Sequence, residues 1–268
     1  MKCSPFGLKH RINETTCLDN DAKEEIEKNI ETKKCNHIKH KAKREICQLS
    51  KTKKVSKYYL PKMPKEWSNK NNNSNKNWLS NFDITNIINQ YAELHPNFKF
   101  IGTLPIDFIE KKYGENQCIS EIMCNFDKYI TNNQLYDLFG FAINTDKSNG
   151  SGKHWFALVI NMKKQTIYCF DSVGNASRHK AIKDWVNRTS SISNFTLLFS
   201  KNEHQQKNTE CGMYSVLFIL SMIYAEDTDQ IWNLWEKQTI PDNQVFNFRK
   251  YLFMRFLKKK NDIIKLLN

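Results

Sequence analysis

Three side chains in this sequence have the types and the setting for nucleophilic catalysis. Cys211 follows the polar run His204-Gln205-Gln206-Lys207-Asn208-Thr209-Glu210 and opens the apolar stretch Met213 to Tyr224. If that stretch is a helix, its unpaired N–H groups and positive dipole end favour the sulfur as a thiolate, which is the nucleophilic form. A base is at hand in Lys153-His154-Trp155, and an orienting carboxylate in Cys169-Phe170-Asp171-Ser172. An imidazole beside a thiol, itself steered by a carboxylate, is the arrangement that activates a cysteine for acyl transfer.

The elements that must carry these groups can be read from period and punctuation. Phe139–Asn144 and His154–Ile160 read as strands, separated by the turn-forming Asp146-Lys147-Ser148-Asn149-Gly150-Ser151-Gly152. Thr166–Asp171 reads as a returning strand after a two-residue turn at Lys163-Lys164. That register sets Asp171 opposite Phe156 and on the same face as His154, a diagonal neighbour within about 8 Å. The argument selects Asp171 over Asp146 and Asp184, and a turn of odd length would put every side chain on the other face. Downstream, Ala181–Asn187 reads as helix, Phe195–Phe199 as strand and the Cys211 segment as helix. The order strand, strand, helix, strand, helix predicts an α+β layer rather than a doubly wound sheet. Leu252–Leu257 and Ile263–Leu267 are expected to close the domain as helices, with Phe246, Phe248 and Tyr251 in the core. Cys169 is expected to be buried and inert, and His179 and His204 to lie on the surface.

Upstream, Ser80 or Asp83 can cap a helix whose apolar face is Ile84, Ile87, Ile88 and Tyr91. Asp107–Tyr113 and Asn132–Phe139 read as shorter helical or turn-rich pieces. Asp21–Leu49 has three- and four-residue apolar spacings with no glycine or proline, and reads as a basic helical arm. Pro61, Pro64 and the tract Asn69–Asn77 end that pattern in a solvated linker. The domain division is therefore 1–76 for the arm and linker and 77–268 for the catalytic domain.

With 268 residues and 40% hydrophobic content the chain can bury a sizeable core. No apolar run reaches the ~20 residues of a membrane-spanning helix, and Met1-Lys2-Cys3-Ser4-Pro5 does not open a secretory signal, so a soluble intracellular protein without membrane partners is expected. Eight cysteines are scattered without a Cys-x-x-Cys pair and are expected to be reduced. The net charge of +13 invites a nucleic-acid reading, but residues 1–60 alone hold 15 Lys/Arg against 8 Asp/Glu. Lysine and asparagine enrichment can equally be a compositional bias, so nucleic acid is not taken as the partner. His37 and His40 near Cys35 and Cys47 do not have the spacing of a closed zinc site. Zinc on Cys169, Cys211 and His154 would occupy the thiolate needed for attack, so neither a metal nor a cofactor is expected.

Gly152-Lys153-His154-Trp155, the strand ending in Asp171, Gln205 and Thr209-Glu210-Cys211-Gly212 together resemble the Ulp/SUMO-protease-like, adenain-type cysteine peptidases. Within that group the resemblance is greatest to the polyprotein-processing proteases of asfarviruses. It covers about residues 78–256 and extends to Asn81-Phe82-Asp83-Ile84 and Phe248-Arg249-Lys250-Tyr251-Leu252-Phe253. It implies a central mixed sheet flanked by helices, with an N-terminal helical arm. It also implies that Gln205, with Gln206 or Asn208 as alternatives, supplies an oxyanion donor. Trp155 and Trp78, the latter in Trp78-Leu79-Ser80-Asn81, would form a narrow slot over a diglycine, the alternative being ordinary core tryptophans. The implied activity is a cysteine endopeptidase cleaving after Gly-Gly, acting on viral structural polyproteins in host cytoplasm and virion. A deconjugating peptidase for ubiquitin-like proteins, or an idle binding module, are the alternatives.

Overall fold

A computed structural model describes residues 20–31, the positions Cys35, His37, Lys39 and Arg44, and then 78–92, 95–112 and 116–254. Its elements are α1 (Asn20–Glu31), α2 (Asn81–Ala92), β1 (Phe98–Pro105), α3 (Glu121–Cys124), α4 (Phe126–Asn132), β2 (Leu138–Asn144), β3 (Trp155–Asn161), β4 (Thr166–Phe170), α5 (Lys180–Arg188), β5 (Thr196–Phe199), α6 (Cys211–Tyr224), α7 (Thr228–Lys237) and α8 (Asp242–Met254). One mixed sheet runs β1-β2-β3-β4-β5, with parallel outer pairs and antiparallel inner ones. This is the α+β layer expected.

The inner strands are buried along their whole length, because both faces are covered. Their period of two sorts the core into halves. Trp155, Ala157, Val159, Tyr168 and Phe170 join α2, α6, α7 and α8 on one face. Phe156, Leu158, Ile160, Ile167 and Cys169 join Trp185, Phe126 and Met123 on the other. Helix α6 lies across β2 and β3, and is buried from Cys211 to Ile223.

The register of the β3–β4 hairpin is the one expected from its sequence, with Ala157 opposite Phe170 and Leu158 opposite Cys169. The turn is longer, since Asn161 pairs with Thr166 and leaves 162–165 as the loop. Parity survives because the loop is even. At the N-terminus of α2, Ser80 and Asp83 form a capping box: Asp83 N–H donates to Ser80 Oγ (3.2 Å), and Ser80 N–H to Asp83 Oδ2 (2.9 Å).

Several expectations are corrected. β1 carries no pure alternation in its sequence; it pairs in parallel with β2 and is bulged between Phe100 and Gly102, where glycine takes φ +136°. Helix α7 was not foreseen either. The turn-rich reading does hold at residues 107–109, which form a turn, and after Asn132, where α4 ends ahead of a turn into β2. The arm is helical over Asn20–Glu31, but Cys35 and His37 lie in turns, so an unbroken helix to Leu49 does not form. The remaining arm, the Asn/Lys tract and the segment after Met254 lie outside the described residues.

The expectation of reduced cysteines fails at Cys118 and Cys124, which are joined across a Cα–Cα distance of 6.5 Å, and at Cys35, which is also disulfide-bonded. The fold turns the chain back between Phe108 and Ser120, through the Lys111–Cys118 bridge and the Ile119 N–H to Glu110 O bond. That brings together two cysteines whose spacing matches no motif. Among the described residues no helix is long and apolar enough to cross a membrane.

Candidate active site

His154 ends the β2–β3 loop and immediately precedes β3. The loop is built on two side chains. Asn144 Oδ1 accepts from Asp146 N–H (2.9 Å) and Lys153 N–H (3.1 Å), and Asp146 Oδ2 accepts from Gly152 N–H (3.2 Å). Gly152 turns the chain at φ +91°, a conformation L side chains rarely adopt. Thr145 N–H donates to His154 O (2.8 Å), which fixes the histidine's backbone.

Asp171 leaves the end of β4, and its side chain is fully buried. His154 Nε2 lies 2.6 Å from Asp171 Oδ1, so the ring's other nitrogen is left for Cys211. Burial disfavours the imidazolium. The hydrogen bond to Asp171, the interaction with the Cys211 sulfur and the charges of both outweigh it, and the His154 pKa is raised to about 9. Burial likewise opposes the Asp171 carboxylate, but hydrogen bonds from His154 and His179 and the charge of Arg178 hold its pKa well below the usual range.

Cys211 is the first residue of the 14-residue α6, 1% exposed, with no side chain capping the helix N-terminus. The preceding Glu210 is buried and paired with Arg249 of α8 at 2.9 Å, which anchors the start of α6 from a distant element. Ser215 Oγ donates to Cys211 O (3.0 Å). The structure therefore gathers His154, Asp171 and Cys211 into one cluster. Such a cluster can hold a thiolate beside an imidazolium and return the proton to a leaving group.

Gln205 is buried and bonded to Ser172, the residue after Asp171. Its Oε1 accepts from Ser172 Oγ (2.7 Å), its N–H donates to Ser172 O (2.8 Å), and its Nε2 donates to Lys207 O. One N–H of the amide is thus committed and the group is held rigidly. Gln206 and Asn208 are exposed.

Trp155 and Trp78 line the same groove, of ≈ 550 Å³, with Asn81, Ser148 and Gly152 on its walls. Trp155 is buried, and its indole N–H donates to Leu79 O (3.0 Å), tying the segment before α2 to β3. Trp78 is 47% exposed, so it is not a core residue. Gly212 lets this segment approach Cys211, since an added Cβ there would lie 2.9 Å from Leu79 Cβ.

Two histidines correct the surface expectation. His204 is fully buried, and its Nδ1 accepts from Ile240 N–H (3.1 Å). His179 is buried against Asp171 Oδ2 at 2.7 Å, where Arg178 Nη2 also donates at 2.8 Å. Nothing in their local sequence marks either as buried; only the return of the chain after Gly174 and the packing of α7 do so. Cys169 is buried, as expected, and burial with the nearby Asp171 charge pushes its thiol pKa well up.

Burial lowers the His204 pKa from 6.5 to about 4. The unfolded chain therefore binds the extra proton first, and stability present above pH 6.5 is lost as pH falls towards 4. This amounts to roughly 3 kcal/mol. Urea midpoints measured from pH 7 to pH 4 should fall, and the fall should shrink in His204→Gln. An equal fall in that variant would show that His204 is not the group responsible.

The comparisons agree with this geometry. Residues 137–258 match the family described as Ulp1 protease family, C-terminal catalytic domain. A protein named as a thiol protease in Acanthamoeba polyphaga mimivirus is 29% identical over 165 residues, 58% of this chain and 50% of the relative. A SUMO-1 cysteine protease of African swine fever virus is 26% identical over 194 residues, 67% of this chain and 69% of the relative. The match thus spans half the length of the first and about two thirds of the second. The crystal structure of an African swine fever virus protease superposes with a TM-score of 0.54 at 20% identity, covering 93% of this chain and 95% of that one, and shares the fold. Sequence match and fold agree: residues 137–258 are similar to the C-terminal catalytic domain of the Ulp1 protease family, and the fold is shared with the African swine fever virus protease.

Proposed function

We propose that the chain is an endopeptidase that hydrolyses the bond after Gly-Gly in protein substrates, foremost viral structural polyproteins during virion assembly in the host cytoplasm. The observation that carries the reading is the buried His154–Asp171 pair set against Cys211 at the head of α6. Cys211 Sγ, its proton held on His154, attacks the scissile carbonyl carbon. The resulting oxyanion is met by the backbone N–H of Cys211 and the second N–H of the Gln205 amide. His154 then gives its proton to the leaving amine, the C–N bond breaks and a thioester remains. Water, deprotonated by His154, attacks that thioester, releasing a carboxylate and restoring the thiol pair. Asp171 keeps the ring oriented throughout.

The steric setting supports the diglycine preference. A thiol only 1% exposed, beside a groove walled by Trp155 and Trp78, is reached most easily by a backbone that carries no Cβ. The African swine fever virus relative's name supports a second substrate, a SUMO-type precursor ending in the same diglycine.

Incubating wild type and Cys211→Ala with a Gly-Gly-containing polyprotein peptide, and separately with SUMO and ubiquitin precursors, decides between the substrates. Cleavage of the peptide alone, by wild type alone, is expected. Cleavage of neither substrate would leave an idle binding module as the better description. Gln205→Ala should lower kcat about 10²- to 10³-fold with little change in KM, as for loss of one oxyanion donor. A change confined to KM would place Gln205 outside the reacting centre.

A further inference from the structure

The Asp171 carboxylate is shared. Oδ1 accepts from His154 Nε2 (2.6 Å) and Val173 N–H (3.2 Å), while Oδ2 accepts from His179 Nε2 (2.7 Å) and Arg178 Nη2 (2.8 Å). One oxygen faces the imidazole next to Cys211, and the other faces a second imidazole behind it. The carboxyl torsion of an aspartate is broad, so hydrogen bonds and not a rotamer well must decide which way Oδ1 points.

The two donors on Oδ2 are not equivalent. Arg178 is 45% exposed, on a long side chain that water and salt can compete for. The His179 side chain is 6% exposed, and its ring stacks on Phe156 with centroids 4.0 Å apart and planes 4° from parallel. Its backbone is held as well: His179 N–H donates to Ala176 O (3.1 Å), and Ile182 N–H donates to His179 O (3.1 Å). The turn that returns the chain runs through Gly174, at φ +70°, whose N–H donates to Asp171 O (3.0 Å). The main chain of Asp171 is pinned by Ser200 Oγ, which accepts from Asp171 N–H (2.9 Å). The main chain of Asp171 is therefore fixed, and the turn of its carboxylate is left to its donors, the Val173 N–H on Oδ1 and, on Oδ2, His179 as the rigid side chain.

We propose that His179 is a positioning residue, which holds the Asp171 carboxylate so that Oδ1 faces His154 and thereby sets the His154 ring against Cys211. The assignment rests on the reading of His154, Asp171 and Cys211 as one catalytic unit. The competing explanation is that His179 merely fills space on Phe156, and the two make opposite demands on substitutions. His179→Phe keeps a ring to stack and loses the donor. His179→Gln loses the stack and keeps an N–H able to reach Oδ2.

The test uses the full chain and needs no substrate, so it stays separate from the question of what is cleaved. The rate of Cys211 alkylation by iodoacetamide, followed by mass spectrometry of the peptide containing it, reports the thiolate held by the imidazolium. At pH 6 the rate in His179→Phe should fall about tenfold, as for loss of a hydrogen bond to a charged group. In His179→Gln it should stay within about threefold of wild type, and at pH 10 all three should converge. His179→Leu provides a second donor-free variant should the phenylalanine disturb folding, with thermal unfolding followed for each. Wild-type alkylation at pH 6 in folded His179→Phe or His179→Leu would overturn the assignment. So would a loss in His179→Gln as large as in His179→Phe. If these rates behave as expected and no Gly-Gly substrate is cut, the substrate reading fails and the positioning role stands.

Discussion

Cys211→Ala is expected to lower kcat/KM on the proposed Gly-Gly substrate by about 10⁴- to 10⁶-fold, because the variant loses the thiol that forms the acyl intermediate. His154→Ala should come close to the same floor, since the thiol loses its proton acceptor and the leaving amine its donor. The double variant should be barely worse than either single one. Residues that act as one unit fail together, and that non-additivity is itself a signature of the pair. The measurement is a kinetic cycle over wild type, both single variants and the double. Multiplicative losses would mean that the imidazole and the thiol act separately, and the unit drawn from their contact would be wrong. Thermal stability should move little in Cys211→Ala, because the sulfur is replaced by a smaller apolar group at the rim of the core.

Asp171→Asn should have the next largest effect, and it should act on rate, pH profile and stability together. The triad aspartate is worth up to about 10⁴ in kcat where it has been removed in other enzymes, mainly through loss of the correct imidazole tautomer and orientation. In this chain the carboxylate, together with the Cys211 sulfur, also raises the His154 pKa against burial to about 9. In wild type the imidazolium's contribution to stability is complete below pH 6.5, the unfolded value, and is lost as pH rises through 9. Removing the anion lowers the folded value, so the alkaline limb of kcat/KM should move from near 9 towards neutrality. An unmoved limb would show that another group sets it. Stability should fall by about 3 kcal/mol, the lower end for breaking a buried pair, because the half-exposed Arg178 can turn to water whereas His179 cannot.

How much of this was legible beforehand differs by residue. The apolar run from Met213 to Tyr224 reads as a helix, and it forms α6, buried from Cys211 to Ile223. Ser80 and Asp83 announced the start of α2 by a local hydrogen-bonding pattern. The β3–β4 register could be worked out from turn parity, and it places Asp171 beside His154 although the loop is longer than the two residues assumed. By contrast β1 is a parallel partner of β2, and parallel pairing leaves no local mark because its partner comes after two intervening helices. The Cys118–Cys124 bond, the Trp155 contact with Leu79 and the Glu210–Arg249 pair are of the same kind.

The histidines show where sequence reading stops. His154 could be singled out because it opens the apolar strand Trp155–Ile160, whereas His179 and His204 sit among polar neighbours that give no sign of their burial. The fold sets the first against Cys211, stacks the second on Phe156 behind Asp171, and seals the third beneath Ile240 and Trp235. What the sequence by itself determined were features that depend on near neighbours: the periods of the inner strands, the cap of α2, the buried helix and the chemical types available for catalysis. Which groups share the buried carboxylate was decided only by tertiary structure. Electrostatic energy in a buried site depends on distances between residues far apart in the chain, and those distances exist only once the layers have packed.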